Sequence, residues 1–424
     1  MTIGTLTLII LAIILAQVAI MMLLGLYRRR QQYSELGKGK HRADNISKPN
    51  ALTCSSTEQV TPDLLWEGFK EFIIQRREME NENNSICSFY LVPTDDKPLA
   101  TFKPGQFLTL KLQIEDPTSH EFKPVVRCYS LSDAYRSDYY RISIKRMSAP
   151  ASNPDVPPGV SSSFFHDHYQ EGSRLLVKAP SGHFHLMEDE PLPIVLIGGG
   201  IGITPMLSIL NSVLERGLKR EIWLYYGVRN SDEHIMKEHL QSLSSKYDNF
   251  HLHICYTVPN ESDVEGIDYQ HNGRVEIPLL RTTLKMMHYQ FYVCGPKQMM
   301  ESLVPGLKDW GIDSDDIYYE SFGPASLIKK DRVVTMGNGQ PITVNFSRSG
   351  KIIPWNIESD SLLEFAEAND IKVDSGCRAG SCGSCQTKIK SGEIYYNQEP
   401  DADVVAGHCL LCICTPKINI ILDA

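Results

Sequence analysis

The sequence predicts a multidomain protein in which an antiparallel β-barrel, an α/β domain with a parallel sheet, and a small α+β domain follow an apolar N-terminal helix. Three observations carry that prediction. Residues 1–27 carry no charged side chain. Short β-rich runs broken by turns begin near residue 64 and give way, near residue 193, to apolar strands alternating with helical stretches. Three cysteines fall within nine positions of the C-terminal third, spaced by little but glycine, serine and alanine. A chain of 424 residues exceeds one ordinary domain. Its 42% hydrophobic and 22% charged content is that of a folded protein. The net charge of −9 argues against a nucleic-acid partner, as does the lack of a basic run interleaved with aromatics.

The N-terminal segment is expected to be a single transmembrane anchor over residues 1–30. Its apolar stretch, 6–26, would span roughly 30 Å as a helix, the thickness of a bilayer core. The following YRRR (27–30) would stay on the cytoplasmic side. No charged region precedes the apolar stretch, as a cleaved signal would require. The expected location is therefore the cell membrane, with a single pass and the catalytic domains in the cytoplasm. Residues 31–63 are polar and lack periodicity, which suits a flexible linker.

Residues 64–190 supply strands such as FKEFIIQRREM, SICSFYLVP, QFLTLKLQI, YYRISIKRM and SRLLVKAP, at the spacing of an antiparallel barrel. Residues 191–324 supply PIVLI, EIWLYYG, FHLHICYTV and QFYVCG with helices between them, the rhythm of a parallel sheet with crossovers. A connector, 325–335, leads to the last domain, 336–424, which holds the cysteine loop. The scattered cysteines at 54, 87, 128, 255, 294, 409 and 414 follow no disulfide spacing, which fits a reducing compartment.

Cys377, Cys382 and Cys385 form C-x4-C-x2-C, with further cysteines in HCLLCIC (408–414). This is the plant-type spacing for a [2Fe–2S] cluster held by four thiolates. A zinc site is the alternative weighed against the cluster for such cysteines. Small spacers let backbone N–H groups turn toward the sulfides. The fourth ligand has three candidates by position, Cys409, Cys412 and Cys414; Gly407 to Cys412 reads G-x-x-L-x-C, which resembles the stretch carrying that ligand in plant-type ferredoxin domains, and so selects Cys412.

In RCYSLSD (127–133), an arginine, an aromatic ring and a hydroxyl can hold a diphosphate, stack on a flat ring and bond its edge. GVSSSFFHD (159–167) places hydroxyls and N–H groups where a helix begins, a seat for an anion. Together they point to a flavin. PIVLIGGGIGITP (193–205) is a buried strand, a glycine loop and a helix, and YVCGP (292–296) is a second strand ending in a tight turn. Such turns let backbone approach a pyrophosphate. Cys294 is a candidate for contact with both reacting rings, or a plain buried thiol.

PGQF, R-x-Y-S-L-S, GGGIGITP, CGP and ESFGP (320–324), in this order, resemble the ferredoxin–NADP reductase-like superfamily. With the trailing cysteine domain the chain is similar to flavin reductase components of multicomponent oxygenases. The resemblance implies FAD in the barrel, NADH or NADPH in the α/β domain and a β-grasp-like ferredoxin domain. It implies that Arg127, Tyr129 and Ser130 meet the flavin, and that Lys145, Ser162 and Ser163 face its diphosphate. Gly199, Gly200, Thr204, Cys294 and Gly295 would line the nicotinamide cofactor, and Phe322 would lie near the isoalloxazine. Cys294, Ser130 and Phe322 form the expected catalytic set. The apolar N-terminus is a departure, since the usual soluble members have none.

The expected activity is an NAD(P)H-dependent oxidoreductase that delivers single electrons to a membrane-associated oxygenase, desaturase or haem acceptor. A quinone- or flavodoxin-type reductase is the alternative within enzymes, and a membrane redox sensor the alternative outside them. The choice of dinucleotide rests on YGVRNSDE (226–233), where Arg229 suits a 2′-phosphate and Asp232 or Glu233 suits a free ribose.

Overall fold

In a computed structural model, the described residues are 66 and 68–424, apart from 96, 116–119, 150–157, 189, 323–340, 358, 360, 377, 379, 381–382, 398–399 and 401. The chain divides into two units, Met1–Gln59 and Val60–Ala424, and the described residues fall in the second. Alternation of side chains along β1 (Lys70–Met79), β2 (Ile86–Pro93), β3 (Phe107–Glu115), β4 (Phe122–Ser130), β5 (Tyr140–Lys145) and β6 (Arg174–Val177) builds one antiparallel sheet. Its order is β4-β3-β6-β1-β2-β5. The sheet curls until its edges meet, through the antiparallel bridge of Leu131 with Ile142 just past β4. Phe72, Phe89, Leu108 and Leu110 fill the interior, and Phe165 of α1 (Val160–His168) packs against it.

The second sheet is wholly parallel. Its strands are β7 (Ile194–Gly199), β8 (Ile222–Val228), β9 (Phe250–Tyr256), β10 (His271–Asn272), β11 (Gln290–Gly295) and β12 (Ile317–Ser321), in the order β10-β9-β8-β7-β11-β12. Strands buried on both faces read as continuous apolar runs, as IVLI and QFYV do. The helices are α2 (Ile203–Glu215), α3 (Lys237–Lys246), α4 (Ile277–Thr283) and α5 (Lys297–Asp309). The strand order reverses at β7, between β8 and β11. Ligands of such sheets bind outside the carboxyl ends of the strands at that reversal, here Gly199 and Gly295.

The C-terminal sheet runs β14-β13-β19-β15-β17, from β13 (Thr343–Phe346), β14 (Lys351–Pro354), β15 (Gln386–Ser391), β17 (His408–Leu410) and β19 (Ile420–Leu422). β16 (Ile394–Tyr396) pairs with β18 (Cys414–Pro416) beside it. One helix, α6 (Leu362–Ala368), covers this sheet, and Ser361 caps it by accepting the Glu364 N–H at 3.2 Å.

The expected anchor, the linker and the connector lie outside the described residues. Among the described residues no helix is long and apolar enough to cross a membrane. The longest two, α2 and α5, have 13 residues each, about 20 Å of rise against roughly 30 Å of hydrocarbon. The expectation of a single-pass location in the cell membrane is corrected on that finding.

Candidate functional site

The side expected to hold the flavin is built by β4, β5 and the start of α1. Tyr129 points its ring edge at Phe165, 5.2 Å between centroids, and its hydroxyl shares a 2.9 Å hydrogen bond with Ser161 Oγ. Burial pushes the Tyr129 phenol up to about 12, against the opposing pull of Ser161, so the group stays protonated. Ser162 closes the first turn of α1, accepting from the Met147 N–H and donating to the Gly159 carbonyl, both at 3.1 Å. Ser130 is only 4% exposed, yet among the described residues its Oγ has no hydrogen-bond partner, and neither does the buried Oγ of Ser163. A buried hydroxyl without a partner costs about 1–3 kcal/mol. Two of them on the strand and helix expected to hold FAD fit a polar ligand that supplies the missing bonds.

The charged residues of this side have partners far along the chain. Arg127 Nη1 donates to the Val126 carbonyl at 2.8 Å and to the Gly376 carbonyl at 3.2 Å. Lys145 pairs with Glu233 at 3.1 Å, from the loop after β8. The carbonyl of Asp232, next to it, accepts from Asn81 Nδ2 at 2.8 Å. Arg229 is exposed, and its carbonyl takes the Val258 N–H.

At the strand reversal the two glycine turns touch each other. A Cβ on Gly202 would lie 2.2 Å from the Cys294 carbonyl oxygen, and one on Gly199 would lie 2.4 Å from Met299 Sδ. Gly295 is equally tight, at 2.7 Å from Met299 Sδ and 3.2 Å from Gly199 Cα. Gly200 differs, with φ of +53° and open space where a side chain would go. Thr204 is buried and donates to the Ile201 carbonyl at 3.0 Å, which steadies the first turn of α2. Cys294 is 0% exposed, and burial pushes its thiol well up. Phe322, beyond β12, is 40% exposed. The structure thus gathers Gly199, Gly200, Thr204 and Gly295 at one crevice, and sinks the Cys294 side chain into the core beneath it.

Cys377 and Cys382 lie outside the described residues. Cys385 and Cys412 are both buried, with sulfurs 3.2 Å apart, too far for a disulfide and close enough to face one centre. The loop leading into Cys385 demands glycine. Gly380 and Gly383 have φ of +77° and +73°, and a Cβ on Gly380 would strike Ile413 at 2.6 Å. Arg378, also left-handed, is held by a bidentate pair with Glu367 of α6. The thiol donor set fits an iron–sulfur cluster.

Residues 196–304 match the family of oxidoreductase NAD-binding domains, and residues 344–417 match the 2Fe-2S iron-sulfur cluster binding domain. The chain is similar to phthalate dioxygenase reductase, a modular structure for electron transfer from pyridine nucleotides to [2Fe-2S]. Identity is 26% and the TM-score 0.50, over 84% of this chain and 98% of that one. The chain thus carries an oxidoreductase NAD-binding domain and a 2Fe-2S iron-sulfur cluster binding domain. A flavohemoprotein of Bacillus cereus (strain ATCC 10987 / NRS 248) is 39% identical to this chain over 265 residues, 62% of the chain and 63% of the relative. The chain therefore spans less than two thirds of that relative's length. The flavohem-like FAD/NAD binding domain of the nitric oxide dioxygenase from Vibrio cholerae O1 biovar El Tor gives 28% identity and a TM-score of 0.51, over 60% of this chain and 99% of that domain.

Sequence reasoning missed the partners that join the parts: Gly376 for Arg127, Glu233 for Lys145, and the whole environment of Asp133. RCYSLSD ends on Asp133, and a carboxylate directly after the Ser132 hydroxyl was the one available signal.

Proposed function

We propose that the chain carries electrons from NAD(P)H through FAD to the [2Fe–2S] cluster, and from there singly to an oxygenase-type protein acceptor. The observation that carries this reading is the hydrogen bond from Arg127, on the flavin strand, to the Gly376 carbonyl, one residue before the first cluster cysteine. It brings the flavin side and the cluster loop within a single side chain of each other. FAD, when bound, supplies the conversion between a two-electron hydride donor and a one-electron acceptor.

The chain's own residues bind and orient. Arg127 and Lys145 bring positive charge to the diphosphate, and Ser130 and Ser163 offer the hydroxyls that nothing in the protein uses. Gly199, Gly200, Thr204 and Gly295 seat the dinucleotide, with Arg229 at its ribose end and Phe322 beside the flavin ring. Cys377, Cys382, Cys385 and Cys412 hold the cluster. Residues 336–424 carry 7 basic and 11 acidic side chains, a balance of −4. A donor surface of that sign favours a basic docking patch and an association rate that falls as salt rises. The name of the phthalate dioxygenase reductase supports an oxygenase as the acceptor class.

Cys412→Ser tests the ligand set and the route together. The variant should lose cluster absorbance and at least tenfold of its rate toward a one-electron protein acceptor, while flavin reduction by dinucleotide persists. Cys409→Ser and Cys414→Ser should keep the cluster. Loss of the cluster in Cys409→Ser alone would overturn the assignment.

A further inference from the structure

Asp133 is 5% exposed, and four donors converge on its carboxylate. Asn211 Nδ2 and the Ala134 N–H reach Oδ1 at 2.8 Å, Arg136 Nη2 reaches it at 3.3 Å, and Tyr139 O–H reaches Oδ2 at 3.2 Å. Arg141 stands 3.8 Å away and also donates to the Ser132 carbonyl. Burial works to raise the carboxyl, but Arg141, the Asn211 amide and Arg136 outweigh it and hold the group below the usual carboxylate range. A buried charge so completely paired is not a surface accident.

The partners come from two different domains. Asp133, Arg136, Tyr139 and Arg141 belong to the edge where the flavin barrel closes, whereas Asn211 lies on α2 of the dinucleotide domain. One turn further along the same face, Glu215 takes both Nη atoms of Arg136 at 2.6 Å. Asn211 also reaches past the barrel, its Oδ1 meeting His239 Nε2 of α3 at 3.1 Å. Helix α2 is the element that starts at the glycine turn, so whatever fixes α2 fixes the seat of the dinucleotide.

We propose that Asp133, Arg136, Asn211 and Glu215 form an interdomain clamp that sets the register of the dinucleotide seat against the flavin, with Asp133 as its positioning residue. The proposal rests on the hydride-transfer reading given above. In that step one hydride, two electrons and a proton, leaves the dinucleotide for the flavin, and a second proton comes from water. The role assigned to the clamp is positional. It acts through geometry alone, and displacement of about 1 Å between reacting groups can cost up to 100-fold in rate.

The test compares the holoprotein with Asn211→Leu and with Glu215→Gln, the second keeping a neutral hydrogen bond in case the first fails to fold. Amide hydrogen exchange should rise in both residues 131–141 and 205–215 of Asn211→Leu, though these segments lie in different domains. FAD content should be unchanged. Flavin reduction at saturating dinucleotide should slow about tenfold with KM within about twofold, and Glu215→Gln should show the same pattern at smaller size. Raised exchange with an unchanged reduction rate would make the contact structural only and overturn the positioning role. Exchange raised in one segment alone would overturn the clamp. Absence of flavin reduction by either dinucleotide in the unaltered protein would instead defeat the hydride-transfer reading, and the exchange arm would still decide whether the clamp exists.

Discussion

The glycine turns after β7 and β11 and the strand and helix proposed to hold the flavin meet their requirements in opposite ways. At the turns every close approach is protein against protein: Gly199, Gly202 and Gly295 are glycine because Met299, Pro296 and the backbone of Cys294 occupy the space a Cβ would need. Thr204 likewise spends its hydroxyl within its own turn. On the strand and helix proposed for the flavin, Ser130 and Ser163 bury hydroxyls that no atom among the described residues satisfies. A glycine cluster can thus report how a fold closes on itself, whereas an orphaned hydroxyl is open to a group the protein does not contain.

Gly202→Ala should break the first half of that comparison most severely. Its new methyl would meet backbone rather than a pliable side chain, so the two turns must separate. A loss of about 3 kcal/mol, the upper end for overpacking, is expected in urea unfolding. Gly200→Ala meets nothing within 4 Å and should cost only the left-handed strain, about 1–2 kcal/mol.

Acid should expose the same self-containment in the parallel sheet. Burial holds His234 and His253 down to about 4, helped by Lys237 for the first and by His271 and His251 for the second. Both folded values lie below the ordinary 6.5, so unfolding takes up protons between pH 6.5 and 4. Stability is therefore full above pH 6.5 and falls toward pH 4, by roughly 1.4 kcal/mol per pH unit for each histidine. His253→Asn should remove about half of that slope in unfolding titrations at pH 4.5, 5.5 and 6.5.

The smallest effect has the clearest sign. Ser130→Ala and Ser163→Ala should leave the FAD-free protein as stable or up to about 1 kcal/mol more stable, because each removes an unmet hydroxyl. FAD affinity should fall about tenfold, near 1.4 kcal/mol. Ser162→Ala removes two bonds already made and should destabilise the FAD-free protein by about 1 kcal/mol. Equal signs for Ser130 and Ser162 would dissolve the contrast.

Local pattern was legible in the sequence, and distant partnership was not. SICSFYLVP, QFLTLKLQI and FHLHICYTV each became a strand, and the helix expected between PIVLI and EIWLYYG forms as Ile203–Glu215, because alternation and helical periodicity are properties of a few neighbouring residues. Cys385, from the C-x4-C-x2-C spacing, and Cys412, from the resemblance to the plant-type stretch, have sulfurs 3.2 Å apart. Arg127 meets Gly376 across 249 positions and Asp133 meets Asn211 across 78. No window of sequence contains both members of either pair. The same limit hid the orphaned state of Ser130, since a missing partner shows only when every neighbour is placed.

The central claim is a single electron route from dinucleotide to flavin to cluster. Anaerobic addition of NADH, and separately NADPH, to the purified protein tests it directly, with flavin and cluster absorbance followed together. A flavin takes two electrons and the cluster one, so complete reduction should need about 1.5 equivalents of the preferred dinucleotide. Cluster bleaching should accompany flavin bleaching in the same sample. If the flavin bleaches while the cluster keeps its oxidised spectrum under excess of either dinucleotide, the two sites are not joined and the route is wrong.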